Sequence, residues 1–119
     1  MKLFADLMVG LVALLHLAFM IVEMFFWESS YSVRAFKLSP ELAKETTRFA
    51  ANIGLYNGFV VAGLVWGLLS SDGGFVIKAF FLSCVVIAGI FGGITVNRSI
   101  ILVQGLPAAL ALLLVVLAK

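Results

Sequence analysis

Glu23 and His16 are the two residues best suited to chemistry in an otherwise apolar stretch of sequence. They lie seven apart in a run that extends from Leu3 to Trp27. A helix brings positions seven apart back to within about 20° of one stripe. An ionised carboxylate facing hydrocarbon is costly, so Glu23 is expected to face an interior, where it takes a proton or pairs with a donor. His16 has a side chain suited to a general base, a proton relay or a ligand-holding donor. Glu23 and His16 are thus the candidate catalytic pair. A structural hydrogen-bond network between helices is the competing role for both.

The other polar side chains are few, and their depth is readable. Asn52, Tyr56 and Asn57 lie together in one apolar run, and Gln104 lies in another, three residues before Pro107. Asn52 and Tyr56 stand one turn apart. Asn57 is rotated about 140° from Asn52 at 100° per residue, so one of the two asparagines points inward. Trp27 falls close to the Glu23 stripe, and Arg98 stands just before the last run. These six are the expected ligand-binding residues: Asn52, Tyr56, Asn57, Gln104, Trp27 and Arg98. Arg98 also suits an interface anchor. No metal site is expected. The chain has one histidine and one cysteine, Cys84, and the His16–Glu23 spacing is not the i, i+4 pairing of a helical zinc motif. Phosphate loops, nucleophile elbows and cysteine pairs are missing, so no cofactor is expected either.

The elements that must carry these residues follow from composition. The chain has 119 residues, 64% hydrophobic and 12% charged, with a mean hydropathy of +1.22. Ordinary soluble domains are about 45–50% apolar and about 25% charged. A span needs about 20 apolar residues. Four apolar runs, about 3–27, 49–69, 75–96 and 99–118, use nearly the whole length. The expected fold is all-α, a single integral membrane four-helix bundle running up-down-up-down. The first run holds His16 and Glu23 and has no small-residue cleavage site, so it reads as a retained span rather than a signal peptide. The net charge of +2 is too small to imply nucleic acid.

Residues 28–48 form the one long polar segment. Within it, Ser39-Pro40-Glu41 reads as a helix start, with a Ser cap, a first-turn proline and a first-turn acid. Ser70 to Gly74 reads as a turn. Pro107 should remove the hydrogen bond to the Val103 carbonyl and kink the last helix. Glycines recur four apart, as in Gly54/Gly58 and Gly89/Gly93, which suits close helix packing in lipid. Arg34, Lys37, Lys44, Arg48 and Arg98 stand on the long-loop side, against Lys2, Lys78 and Lys119 on the other. The positive-inside rule then places the long loop in the cytoplasm and both termini outside, in the cell membrane.

In such a bundle the polar residues between the interfaces gather in the long-loop half or, for His16, at the midplane. The other half reads as an apolar plug. The largest cavity is expected to touch Glu23 and one of Asn52 or Tyr56.

The segments LLHLAFMIVEMFFW, AANIGLYNGFVVAGLVWG and GGITVNRSIILVQGLPA resemble a family of small bacterial membrane proteins known as domain of unknown function 1304. The resemblance spans nearly the whole chain, and Ala51 to Phe59 is its most distinctive part. It implies a compact four-span protein of this length and supplies no catalytic residues.

Three functions fit these residues. The first is a membrane pocket for a small, mostly apolar molecule, with acid–base chemistry at Glu23 and His16 such as an isomerisation or hydration. The second is a small proton-coupled exporter acting as an oligomer. The third is a non-catalytic membrane subunit or assembly factor. The expected partners are membrane lipid, the small apolar molecule and further copies of the chain.

Overall fold

The computed structural model describes residues 1–119. It is all-helical: α1 (Lys2–Phe25), α2 (Ser30–Ala35), α3 (Pro40–Leu69), α4 (Gly74–Thr95), a π-helical segment (Ile101–Gly105) and α5 (Leu106–Leu117). Three of these, α1, α3 and α4, are long and apolar enough to cross a membrane by length and composition. The last apolar stretch, Ile101–Leu117, is shorter.

The chain forms two compact units. One comprises Met1–Leu15 with Val60–Lys119, and the other is His16–Phe59. The first unit is built on small side chains. Ala5, Val9 and Val12 of α1, Leu64 of α3, Leu82 and Val85 of α4, and Ala108, Ala111 and Val115 of α5 are all buried in one cluster. Each set recurs at three or four residues, the spacing that keeps one helix face inward. The outward faces are large and apolar: Leu3, Phe4, Val76, Phe80 and Ile94 are each more than 60% exposed.

Helix α4 and the last helical stretch run antiparallel with their backbones nearly touching. A Cβ added at Gly89 would stand 2.5 Å from the Gly105 Cα and 2.6 Å from its nitrogen. Just before Pro107, where a kink is expected, the structure has the π segment. The Leu106 N–H donates to the Ile101 carbonyl, five residues back. One wide turn just before the proline absorbs the ring that would otherwise strike the Val103 carbonyl.

In the second unit the start of α3 is as expected. The Leu42 N–H donates to the Ser39 Oγ at 3.1 Å, and Pro40 opens the helix. Two features differ from expectation. Helix α1 ends at Phe25 rather than Trp27, and the polar segment contains a helix of its own, α2. Both differences have a local cause. The Phe26 carbonyl accepts from the hydroxyls of Ser29 and Ser32, each at 2.7 Å, while the Ser29 Oγ caps α2 by accepting from the Ser32 N–H. Side-chain hydroxyls thus take over the carbonyl that would have continued α1. Helix α2 closes with Lys37 in the left-handed region at φ 54°. Leu38 N–H to Val33 O and Lys37 N–H to Arg34 O form the paired bonds of a Schellman ending.

Candidate functional site

The unit His16–Phe59 brings Glu23 and Asn57 together. The Asn57 Nδ2 donates to the Glu23 Oε1 at 3.0 Å. The other carboxylate oxygen, Oε2, is buried and has no hydrogen-bond partner. The close approach of α1 and α3 at this level depends on Gly54. A Cβ there would meet the Met24 Cγ at 2.6 Å, and both the Glu23 Cβ and the Met20 carbonyl at 3.2 Å. Asn57 lies three residues further on, on the same face of α3, and so reaches the carboxylate. Of the two asparagines, Asn57 is the one turned inward.

Asn52 and Tyr56, expected to line the Glu23 site, are exposed. The Tyr56 ring rests edge-on against Phe59, with centroids 5.9 Å apart. Asn52 and Tyr56 are one turn apart and share the α3 face that Gly54 and Asn57 leave, so the rotation that turns Asn57, half-buried, toward Glu23 leaves both exposed. His16 is buried, and Phe19 packs edge-on against its ring at 5.5 Å. Trp27 is an anchor for the helix start. Its Nε1 donates to the Thr46 Oγ1 at 3.0 Å, and its ring leans on Phe36 at 4.9 Å. The Thr46 hydroxyl in turn donates to the Leu42 carbonyl at 2.7 Å. These contacts tie the end of α1 to the first turns of α3.

Gln104 and Arg98 belong to the other unit. Gln104 is half-buried inside the π segment, and Arg98 is exposed beside the break that Asn97 caps through the Ser99 N–H. Exposure suits the anchor role of Arg98.

The same unit holds a cluster that residue-by-residue reading missed. The Lys78 Nζ donates to the Asp6 Oδ1 at 2.7 Å, with the lysine side chain only 12% exposed. The pair borders a cavity of about 460 Å³, whose polar walls are Lys2, Asp6, Ser70, Ser71, Lys78 and Lys119. It touches none of Glu23, His16, Asn52 or Tyr56. The terminal half is therefore not the closed apolar plug expected. The signal was present in the sequence: Asp6 stands four residues into α1, Lys78 four residues into α4, and the two carry opposite charge.

The chemistry of the Glu23 site is that of an acceptor in apolar surroundings. One oxygen is held by an amide that fixes the carboxyl plane, and the second is turned into the protein. A buried polar atom without a partner is uncommon in folded proteins and calls for a cause.

No solved structure matches this chain. It is similar to the protein named Uncharacterized protein YpaA from Lactococcus lactis subsp. lactis (strain IL1403), 31% identical over 105 residues, which cover 87% of this chain and 88% of that relative. A family profile matches residues 10–116, almost the whole length and both units. This chain therefore belongs to the family described as Protein of unknown function (DUF1304).

Proposed function

We propose that the protein is a four-span membrane protein, up-down-up-down with both termini on one side, whose Glu23–Asn57 site holds a small, mostly apolar molecule bearing a hydrogen-bond donor. Support for insertion comes from the outward faces. A water-soluble chain rarely presents a contiguous apolar surface of Leu, Phe and Ile such as α1 and α4 carry. At 1.5 Å per residue the last stretch, Ile101–Leu117, reaches about 25 Å, the lower end of what a span requires. Reporter fusions at Asp72 and at Lys119 are expected to report one side, and a fusion at Arg34 the other. Agreement between Asp72 and Arg34 overturns the topology.

The observation that carries the binding role is the Glu23 Oε2, buried without a partner. A hydroxyl or amine on an apolar body supplies the missing bond, and Met20 and Met24 at the same level of the α1–α3 contact offer that body an apolar neighbour. Acid–base work by Glu23 and His16 is the catalytic form of the same reading. Native mass spectrometry of the full chain, released from gentle detergent, tests it. A small apolar adduct is expected on the native protein and at least about tenfold less on Glu23→Leu, since losing one hydrogen bond to a carboxylate costs about 1.5–3 kcal/mol. Equal adduct on a folded Glu23→Leu, or none on the native protein, overturns the reading.

A further inference from the structure

The cavity at the terminal end has a charge and a setting that the Glu23 site does not use. Three lysines, Lys2, Lys78 and Lys119, line it against a single side-chain carboxylate, Asp6. That carboxylate is already engaged by Lys78 at 2.7 Å. Lys2 and Lys119 therefore remain as cations without a side-chain carboxylate in the cavity wall. The Lys119 ammonium is held at the cavity by the Phe75 ring, 4.6 Å from its centroid. Ser70 and Ser71 add hydroxyls to the same wall. The positive end of α4 starts there too, with no side chain capping it, and adds to the same field.

The surroundings are apolar. Leu3 and Phe4 at the start of α1, and Trp66 and Leu69 at the end of α3, are each more than 60% exposed. A cationic recess on helix ends that also carry exposed Leu, Phe and Trp matches the depth at which lipid headgroups meet acyl chains.

We infer that this cavity is a binding site for a phosphate-bearing anion, with Lys2 and Lys119 as its ligands and the Asp6–Lys78 pair as its floor. The Asp6–Lys78 pair sets the recess, because it ties the first turns of α1 and α4 at one level. Phosphate chemistry can come from an anionic phospholipid headgroup or from free phosphate. The exposed apolar side chains on the same helix ends favour the lipid, and that choice rests on the membrane reading above. Recognition of the anion does not.

Thermal unfolding of the full chain in an uncharged detergent separates these cases. The additives are short-chain phosphatidylglycerol, phosphatidylcholine of the same acyl length, and inorganic phosphate. Phosphatidylglycerol is expected to raise the unfolding temperature in a saturable way, and phosphatidylcholine is not. In Lys2→Gln/Lys119→Gln the midpoint of the phosphatidylglycerol titration is expected to move up about thirtyfold, about fivefold per lysine near a membrane surface. Both lysines lie outside the Asp6–Lys78 pair and are exposed; Lys119→Gln also loses the Phe75 contact, so each titration is read against the variant's own lipid-free unfolding temperature, which is expected slightly below the native one. Should the double variant not fold, Lys2→Gln alone carries the fivefold expectation. A shift with inorganic phosphate at matching concentration assigns the site to the free anion. A shift with phosphatidylglycerol alone assigns it to the lipid. Equal response to both lipids, no response to either anion, or an unchanged midpoint in the variants overturns the inference. None of these readouts depends on Glu23 or its ligand.

Discussion

Gly89→Ala is expected to destabilise the protein by about 2–3 kcal/mol, while the same change at Gly10 should leave stability unchanged or raise it. Both glycines lie within long helices, where alanine is favoured over glycine by roughly 0.5–1 kcal/mol. At Gly10 nothing lies within 4 Å of the added carbon, so the backbone preference acts alone. At Gly89 the added carbon meets the Gly105 Cα at 2.5 Å and its nitrogen at 2.6 Å. Those are backbone atoms, and no side chain can rotate to relieve them. Helix α4 must move away from the π segment, which opens the contact along Gly93 and Ile101 as well. Overpacking of this kind costs about 1–3 kcal/mol, occasionally more, and exceeds the propensity gain. Thermal unfolding in detergent should show Gly89→Ala lower by on the order of 10 °C and Gly10→Ala level or higher. Matching unfolding temperatures for the two variants would sink the close-approach argument.

The Glu23–Asn57 contact gives the second large effect, and its sign depends on which partner is left. Asn57→Leu removes the only amide that reaches Glu23 Oε1 at 3.0 Å. Oε2 already lacks a partner, so the whole carboxyl group is then unsupported. Leaving a buried polar group unsatisfied costs about 1–3 kcal/mol, more when it is charged. Replacing both partners by apolar groups of similar size can be nearly neutral. The single variant Asn57→Leu should therefore lose about 2–3 kcal/mol, and Glu23→Leu/Asn57→Leu should recover most of it. The coupling comes from a double-mutant cycle on unfolding free energies. If the double variant is less stable than either single one, the pair acts through packing and not through the hydrogen bond.

These two effects lie at different levels of what could be read from the residues. Apolar run lengths and turn residues locate the helices because both signals are local. Ser39, Pro40 and Glu41 cap α3 through contacts within four residues, and Ser70 to Gly74 closes a turn by backbone preference alone. That Pro107 disturbs the regular helix is legible for the same reason, since a proline lacks its N–H in any fold. The form of that disturbance, a π turn before the proline, is not, because a missing helix bond can be accommodated by a π turn or by a bend and the residue types do not choose between them. The early end of α1 was also missed, because it needs the hydroxyls of Ser29 and Ser32 to fold back on the Phe26 carbonyl.

The site divides along the same line. That Glu23 needs a partner follows from its charge in an apolar run, and the sequence offered Asn52, Tyr56 and Asn57 as candidates. Helical periodicity required that one asparagine face in and the other out, but it carries no absolute phase. The phase is set where α3 meets α1, at Gly54 against Met20 and Met24, and there it turns Asn57 toward the carboxylate and leaves Asn52 and Tyr56 exposed. The Asp6–Lys78 pair shows the same division. Composition determined that both charges sit one turn inside apolar helices. Only the packing of α1 beside α4 decided that they meet, because a salt bridge needs two side chains within a few ångströms and sequence specifies neither the neighbour nor the rotation.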